Sequence, residues 1–257
     1  YGIYGAVGGF VSMFSLISSS LTASVSRFLT FELGTGNKER LSRVFSTSVL
    51  IQISLAIIVV LLSETLGLWF MHHKMTIPVD RMGAANVVFQ VSIITFIFGL
   101  LSAPFSATIV SHEKMGVFAF FGLFEILARL GIVLFIAYCY LVNDRLKVYA
   151  VLVMALSVIM QGIYIWYCKR SFEECDIKLI FDKKVFREMG SFASWVFIGC
   201  TAAQLKNQGV NLLYNVFVGP VLNAARGIAT SVNVAVTSFA SNFMTALNPQ
   251  ITKLYAA

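Results

Sequence analysis

The sequence predicts an all-α integral membrane protein with about seven transmembrane helices. Of its 257 residues, 58% are hydrophobic and 12% are charged, and the mean hydropathy is +0.83. Soluble domains carry about 25% charged residues. Seven apolar segments reach the ~20 residues that a spanning helix needs. The connections between them are too short to hold an independent soluble domain.

The seven predicted helices follow one another along the whole chain. Their expected ranges are 4–33, 44–71, 85–110, 116–140, 148–168, 186–217 and 221–252. Several exceed the minimum length, which is typical of helices that tilt or extend beyond the bilayer. The predicted connections are 34–43, 72–84, 111–115, 141–147, 169–185 and 218–220.

Basic residues are distributed unevenly between the two sets of loops. The loops 34–43, 111–115 and 169–185, with their helix flanks and the C-terminal end, carry eleven Lys and Arg residues, against four in the opposite loops. Cytoplasmic loops are enriched in Lys and Arg. We therefore expect these three loops to be cytoplasmic. The net charge of +7 then reflects membrane topology, and no nucleic-acid partner is expected.

Enzyme, metal and disulfide chemistry find no support in the sequence. The four cysteines lack C-x-x-C spacing and are expected to be free thiols; they are Cys139, Cys168, Cys175 and Cys200. The three histidines have no partner ligands, so we expect no metal and no cofactor. No hydrolase, nucleotide-binding or metalloprotease motif occurs. We expect a non-enzymatic protein driven by an ion gradient, the membrane potential or its substrate's own gradient.

Polar residues recur at helical spacing on the last two predicted helices. The sixth carries one stripe, with Lys206 nearby but pointing away from it: Gln204, Gln208, Asn211 and Asn215. The seventh carries a second stripe: Asn223, Arg226, Thr230, Asn233, Thr237 and Ser241. Such a stripe must face something other than lipid. It indicates a water-filled pathway for a polar, anionic cargo, with Arg226 either contacting a phosphate or snorkelling to head groups.

A shift of 211 residues superimposes the first predicted helix on the seventh. The shift places the hydroxyl stripe of the first helix on the polar stripe of the seventh; its members are Ser12, Ser15, Ser19, Thr22 and Ser26. Two helices six apart share an orientation, so the pattern predicts parallel six-helix repeats, a transporter arrangement. On this repeat the chain would be a fragment, with a first helix upstream of Tyr1. Arg27 lies about 60° from the stripe and would contact a phosphate or mark the positive-inside boundary.

Glu125 and Arg129 are two further charged residues inside a predicted helix, the fourth. Their i, i+4 spacing favours a self-neutralising structural pair. A proton- or ion-coupling carboxylate is the alternative.

Three stretches resemble the bacterial polysaccharide (O-antigen and capsule) export flippases. They are YGIYGAVGGFVSMFSLISSSLTASVSRFLTFELG, VSIITFIFGLLSAPFSATIVSHEKM and LKNQGVNLLYNVFVGPVLNAARGIATSVNVAVTSFASNFMTALNPQITKLYA. These flippases share a superfamily with lipid II flippases and multidrug and toxin extrusion (MATE) transporters. The resemblance implies twelve to fourteen helices in two lobes that work by alternating access. It divides the chain into an N-terminal lobe at 1–168 lacking its first helix, a cytoplasmic inter-lobe loop at 169–185 and the start of a C-terminal lobe at 186–257.

The resemblance also implies a cargo, a membrane and a set of partners. The cargo would be a polyprenyl-diphosphate-linked oligosaccharide, translocated across the bacterial inner membrane. Membrane lipids and the polysaccharide polymerase and glycosyltransferase machinery would be the partners. Two alternatives remain open. A MATE-type multidrug exporter would need acidic cavity residues for cationic drugs, and a seven-helix receptor or sensor would share only the helix count.

Overall fold

The computed structural model shows a bundle of long helices. It describes residues 14–73, 82–138, 145–175, 181–217 and 220–256, without the side chains of 70–72, 145, 207–209 and 211–228. The helices in these ranges are α1 (Ser15–Thr35), α2 (Lys38–Leu62), α3 (Met82–Ser111), α4 (Met115–Tyr138), α5 (Arg145–Ser171), α6 (Lys183–Phe217) and α7 (Pro220–Ala256). A π-helical turn, Ser63–Gly67, and the short helix Leu68–His73 continue α2.

Each of the seven apolar segments forms a helix, as the sequence predicts. Residues 4–13 of the first segment lie outside the described part of the chain. The expected ten-residue connection 34–43 is wrong, because only Gly36 and Asn37 separate α1 from α2. Gly36 takes a left-handed backbone (φ 71°) that ends α1, and the Asn37 side chain accepts a hydrogen bond from the Arg40 backbone N–H, at 3.0 Å. The charged residues that follow form the first turns of α2.

Four stretches are long and apolar enough to cross a membrane. Among the described residues these are Lys38–Gly67, Met82–Ser111, Met115–Tyr138 and Leu146–Ser171. The described chain is therefore all-α, and its four candidate spans are consistent with a membrane protein. The remaining long helices, α1, α6 and α7, have the length to span a bilayer, but their polar stripes lower their hydropathy. Their transmembrane placement stays a prediction.

The loops predicted to share one side of the membrane meet at one end of the bundle. Lys38 at the start of α2 bonds Glu173, which follows α5, at 2.8 Å. Arg40 lies 3.3 Å from Glu188 at the start of α6. The α3–α4 turn is bonded to the end of α7 through Glu113. We call this the basic end; its cytoplasmic location stays a prediction.

Helix α1 lies at the centre and packs against α2, α3, α6 and α7. The larger core cluster lies towards the basic end and includes Val25, Phe45, Phe105 and Met189. The Phe45 and Phe105 rings meet edge to face, with centroids 5.4 Å apart. Helix α4 packs at the periphery and buries only Phe121 and Ile136, so most of its apolar surface is free to face lipid.

Candidate functional site

A large cavity lies between α1, α3 and α7. Its volume is about 1160 Å³, somewhat above the ~300–1,000 Å³ typical of small-molecule sites. Most of its polar lining consists of hydroxyls: Ser15, Ser18, Ser19, Thr22, Ser26, Thr30, Thr95, Ser106, Ser241, Thr245 and Thr252. Asn248 adds an amide, and Gly99 leaves open space on the α3 wall. The cavity thus offers many neutral hydrogen-bonding groups inside an apolar bundle.

The lining hydroxyls fall into two groups by what they already bond. Thr22 donates to the Ser18 carbonyl at 2.9 Å, and Thr95 donates to the Val91 carbonyl at 2.8 Å. Their oxygens therefore remain free as acceptors. Within the described part of the chain, the side chains of Ser26 and Asn248 make no hydrogen bond and can either donate or accept. Such a lining suits a cargo rich in hydroxyl groups.

Arg27 is the single charged side chain among the lining residues. It lies eight residues before the end of α1, about 12 Å along the helix axis. Its guanidinium carbon lies 4.3 Å from the centroid of the Phe192 ring on α6. No carboxylate pairs with Arg27 among the residues that the structure describes. Its positive charge therefore stays uncompensated in the cavity wall, where it favours an anion.

The cavity is closed at the basic end and open towards the N-terminal part of α7. At the basic end, Gly34 of α1 lies directly against Lys253 and Ala256 of α7. In the other direction, every residue of α7 from Ala229 to Thr245 is exposed. Helix α7 thus packs against α1 near the basic end and is exposed further towards its N-terminal part.

One solved structure shares this arrangement of helices. No family model and no curated protein matches the sequence. The solved structure, described only as "protein A", aligns with a TM-score of 0.72 at 15% sequence identity. The alignment covers 99% of this chain and 58% of the solved one, so the chain spans little more than half of its length. The likeness shows a common fold and carries no function.

The structure places the predicted site residues in three groups. Ser19, Thr22 and Arg27 line the cavity. Thr230, Asn233 and Lys206 are exposed and do not line it. Five side chains lie outside the described part of the chain, so their roles stay predictions: Gln208, Asn211, Asn215, Asn223 and Arg226.

Helix α3 forms a cavity wall that the sequence analysis missed. Thr95, Gly99 and Ser106 fall on one face of α3 and line the cavity. Their spacing of i, i+4 and i+11 is the same kind of signal that marks the α1 stripe. It was overlooked because the surrounding sequence is strongly apolar and the residues are small.

Glu125 and Arg129 pair on α4, away from the cavity. Arg129 donates to Glu125 at 2.7 Å, and both side chains are exposed in the described bundle. Neither lines the cavity. This geometry is that of a self-neutralising pair; a coupling role for Glu125 stays a prediction.

A second polar basin, of about 900 Å³, lies at the basic end outside the cavity. His112 bonds Glu174 there and stacks on Phe172, with ring centroids 4.1 Å apart. Burial acts to raise the pKa of Glu174, but the hydrogen bond and charge of His112, a backbone hydrogen bond and the charge of Lys38 together outweigh it, and the pKa is lowered. Beside it, Arg40 Nε lies 3.0 Å from Glu32, which is 2% exposed. These pairs link helix ends and leave little free charge for a ligand.

The described cysteines agree with the prediction of free thiols. Cys168, Cys175 and Cys200 are unpaired, and the first two are buried near the basic end. Burial and the neighbouring Cys168 raise the pKa of Cys175, so its thiol stays protonated.

Proposed function

We propose that this protein is part of a flippase that moves a polyprenyl-diphosphate-linked oligosaccharide across the bacterial inner membrane by alternating access. The head group would cross in the cavity between α1, α3 and α7, while the prenyl chain stays in the lipid. The chain spans 58% of the similar solved structure, so this activity is proposed for the whole protein.

The observation that carries the proposal is the chemistry of the cavity lining. Its hydroxyls and the Asn248 amide match the hydroxyl groups of sugars. Arg27, with no carboxylate partner among the described residues, matches a diphosphate, because guanidinium binds phosphate oxygens in a bidentate way. The resemblance of the sequence to polysaccharide export flippases supports the same cargo.

The cavity disfavours the multidrug-exporter alternative. Cationic drugs are stabilised by acidic side chains, yet no Asp or Glu is found among the described lining residues. The receptor alternative draws no support from the cavity, because its volume of about 1160 Å³ exceeds that of a typical ligand site.

The test is loss of surface polysaccharide when a basic residue proposed to contact the diphosphate is removed. Arg27→Ala and Arg226→Ala in the full-length protein should each reduce export at unchanged protein level, while Arg27→Lys should retain part of it. The measurement is polysaccharide at the cell surface together with lipid-linked oligosaccharide accumulating inside.

Arg170→Ala is the matched control for Arg27→Ala. Arg170 also lies over an aromatic ring, with its guanidinium carbon 5.9 Å from the Trp166 ring centroid, but it does not line the cavity. Its removal should leave export unchanged. Normal export in both Arg27→Ala and Arg226→Ala, or drug efflux without polysaccharide export, would contradict the proposal.

A further inference from the structure

The base of the cavity is sealed where the C-terminal ends of α1 and α7 touch. A Cβ added to Gly34 would lie 2.8 Å from the Ala256 Cβ and 2.8 Å from the Lys253 carbonyl oxygen. Side chains do not approach so closely, so only glycine allows the two helices to meet here. The contact leaves no passage between α1 and α7 at the basic end.

Beside this contact, one carboxylate joins the α3–α4 turn to α7. Lys253 Nζ donates to Glu113 Oε1 at 2.7 Å, and Gln250 Nε2 donates to Glu113 Oε2 at 3.3 Å. The bond from Lys253 lowers the pKa of Glu113 although burial opposes this, so Glu113 is ionised at neutral pH. The three residues connect parts of the chain more than 130 positions apart.

The backbone of Glu113 is in a strained, left-handed conformation. Its φ of 59° is the one positive φ of a non-glycine residue in the described chain. The Glu113 N–H bonds the Val110 carbonyl and the Lys114 N–H bonds the Ile109 carbonyl, which closes the end of α3 in a left-handed cap. Glycine or asparagine normally takes this position, since a side chain strains it. A strained residue at a contact between distant segments points to a role for its side chain.

Pro249 separates the sealed end of α7 from its open part. Proline removes the backbone hydrogen bond to the carbonyl four residues earlier, at Thr245, and lets a helix bend there. Beyond Pro249, Gln250 and Lys253 hold α7 to the α3–α4 turn. Before it, α7 is exposed from Ala229 to Thr245. The described helices therefore hold the end of α7, whereas its longer part before Pro249 is exposed along Ala229–Thr245.

We infer that Glu113, Lys253 and Gln250 form a latch that holds the cavity closed at the basic end and separates when the cavity opens to that side. The inference rests on the alternating access of the proposed function. It is independent of the cargo, because the latch is made of residues that the cavity lining does not include.

The experiment measures from which side of the membrane the cavity can be reached. Ser26→Cys in the full-length protein places a thiol in the cavity wall, and a membrane-impermeant maleimide is added to intact cells or to inverted vesicles. Labelling of the protein without Ser26→Cys is subtracted, which accounts for the natural cysteines. A separate Lys114→Cys protein, labelled at this exposed position, shows which side carries the basic end.

Breaking the latch should increase labelling of Ser26→Cys from the basic end. We expect about a two- to fivefold faster reaction in Glu113→Gln and in Lys253→Met, the range for loss of one partly exposed ion pair. The double charge exchange Glu113→Lys with Lys253→Glu should return the rate towards that of the parent. Glu113→Gly removes the carboxylate together with the backbone strain at this position, and it should also raise labelling. A faster reaction in this variant therefore cannot come from a poorly folded turn.

Glu173→Gln is the matched control, because Glu173 is an exposed glutamate at the same end whose bond to Lys38 does not involve α7. It should leave labelling unchanged. Unchanged labelling in Glu113→Gln, Lys253→Met and Glu113→Gly would overturn the latch, as would a charge exchange that fails to slow the reaction. Faster labelling without any effect of either Arg27→Ala or Arg226→Ala on export would instead keep the latch and remove the proposed cargo.

Discussion

The guanidinium carbon of Arg27 lies 4.3 Å from the centroid of the Phe192 ring, and this contact joins α1 to α6 at the cavity wall. A ring face holds a cation without neutralising it, at a gain of about 0.5–2 kcal/mol. A carboxylate in the same place would bind Arg27 and compete with an anionic cargo. Phe192 therefore fixes the direction of the side chain and leaves its charge available.

Replacing Phe192 by Leu should weaken export without removing the charge. The variant keeps apolar volume on α6 but lets the Arg27 side chain move, so the expected loss is smaller than in Arg27→Ala. A double variant should be no worse than Arg27→Ala alone, since the ring would act only through the arginine. Export measured for the two single variants and the double variant checks this, and additive losses would show that Phe192 acts separately.

The α1 stripe could be predicted because hydroxyl residues at i, i+4 and i+7 are easily recognised in an otherwise apolar sequence. Ser19 and Thr22 were found in this way and do line the cavity. Thr230 and Asn233 belong to the α7 stripe but lie outside the part of α7 that lines the cavity. Helical spacing predicts which face of a helix is polar, but it does not predict over what length a neighbouring helix packs against that face. Thr237, between them and Ser241, is exposed as well.

The latch could not be predicted from sequence. Glu113 lies in a turn, and its contact with Lys253 depends on packing between segments 140 residues apart. Its left-handed backbone could not be predicted either, because a glutamate in a sequence does not indicate a positive φ. The fold class, by contrast, follows from composition and segment length alone.

Cysteines at Gly34 and Ala256 should form a disulfide on mild oxidation. Bonded cysteines have Cβ atoms about 3.5–4.5 Å apart, whereas a Cβ on Gly34 would lie 2.8 Å from the Ala256 Cβ and 2.8 Å from the Lys253 carbonyl oxygen. The disulfide therefore forms with α1 and α7 slightly further apart than in the native contact, which also relieves the clash with the Lys253 carbonyl. Oxidation should change gel mobility and stop export, and a reductant should reverse both effects. Gly34→Cys with Tyr255→Cys is the control, because Tyr255 is 86% exposed. Equal cross-linking in both pairs would argue against a specific contact between Gly34 and Ala256.

The bond between His112 and Glu174 should make stability depend on acid pH. A carboxylate whose pKa is lowered in the folded state stabilises the fold above its ordinary pKa of 4.5, and that stability is lost as the pH falls through the lowered value. Glu174→Gln should cost about 1–3 kcal/mol at pH 7 and much less at pH 3. Thermal unfolding in detergent at the two pH values measures the difference. A cost that does not change with pH would show that Glu174 stabilises the fold by packing alone.

Arg40 should be the ionic residue of the basic end whose loss destabilises the fold most. Its Nε lies 3.0 Å from Glu32, a carboxylate only 2% exposed, and Arg40→Ala would leave that charge buried without its partner. Loss of one partner of a buried pair costs about 3–5 kcal/mol, and we expect about 2 kcal/mol here because Arg40 itself is 44% exposed.

Two comparisons separate this effect from a general loss of surface charge. Arg43→Ala breaks an exposed i, i+4 pair with Glu39 and a longer, 3.9 Å contact with the partly exposed Asp182, and it should cost about 0.5 kcal/mol or less. Glu32→Gln should recover part of the stability lost in Arg40→Ala, since a neutral amide is less costly to bury than a charge. Thermal unfolding in detergent ranks the variants. If Arg40→Ala and Arg43→Ala lower the unfolding temperature equally, Glu32 is already neutralised by another group or by water, and the buried charge is not what Arg40 stabilises.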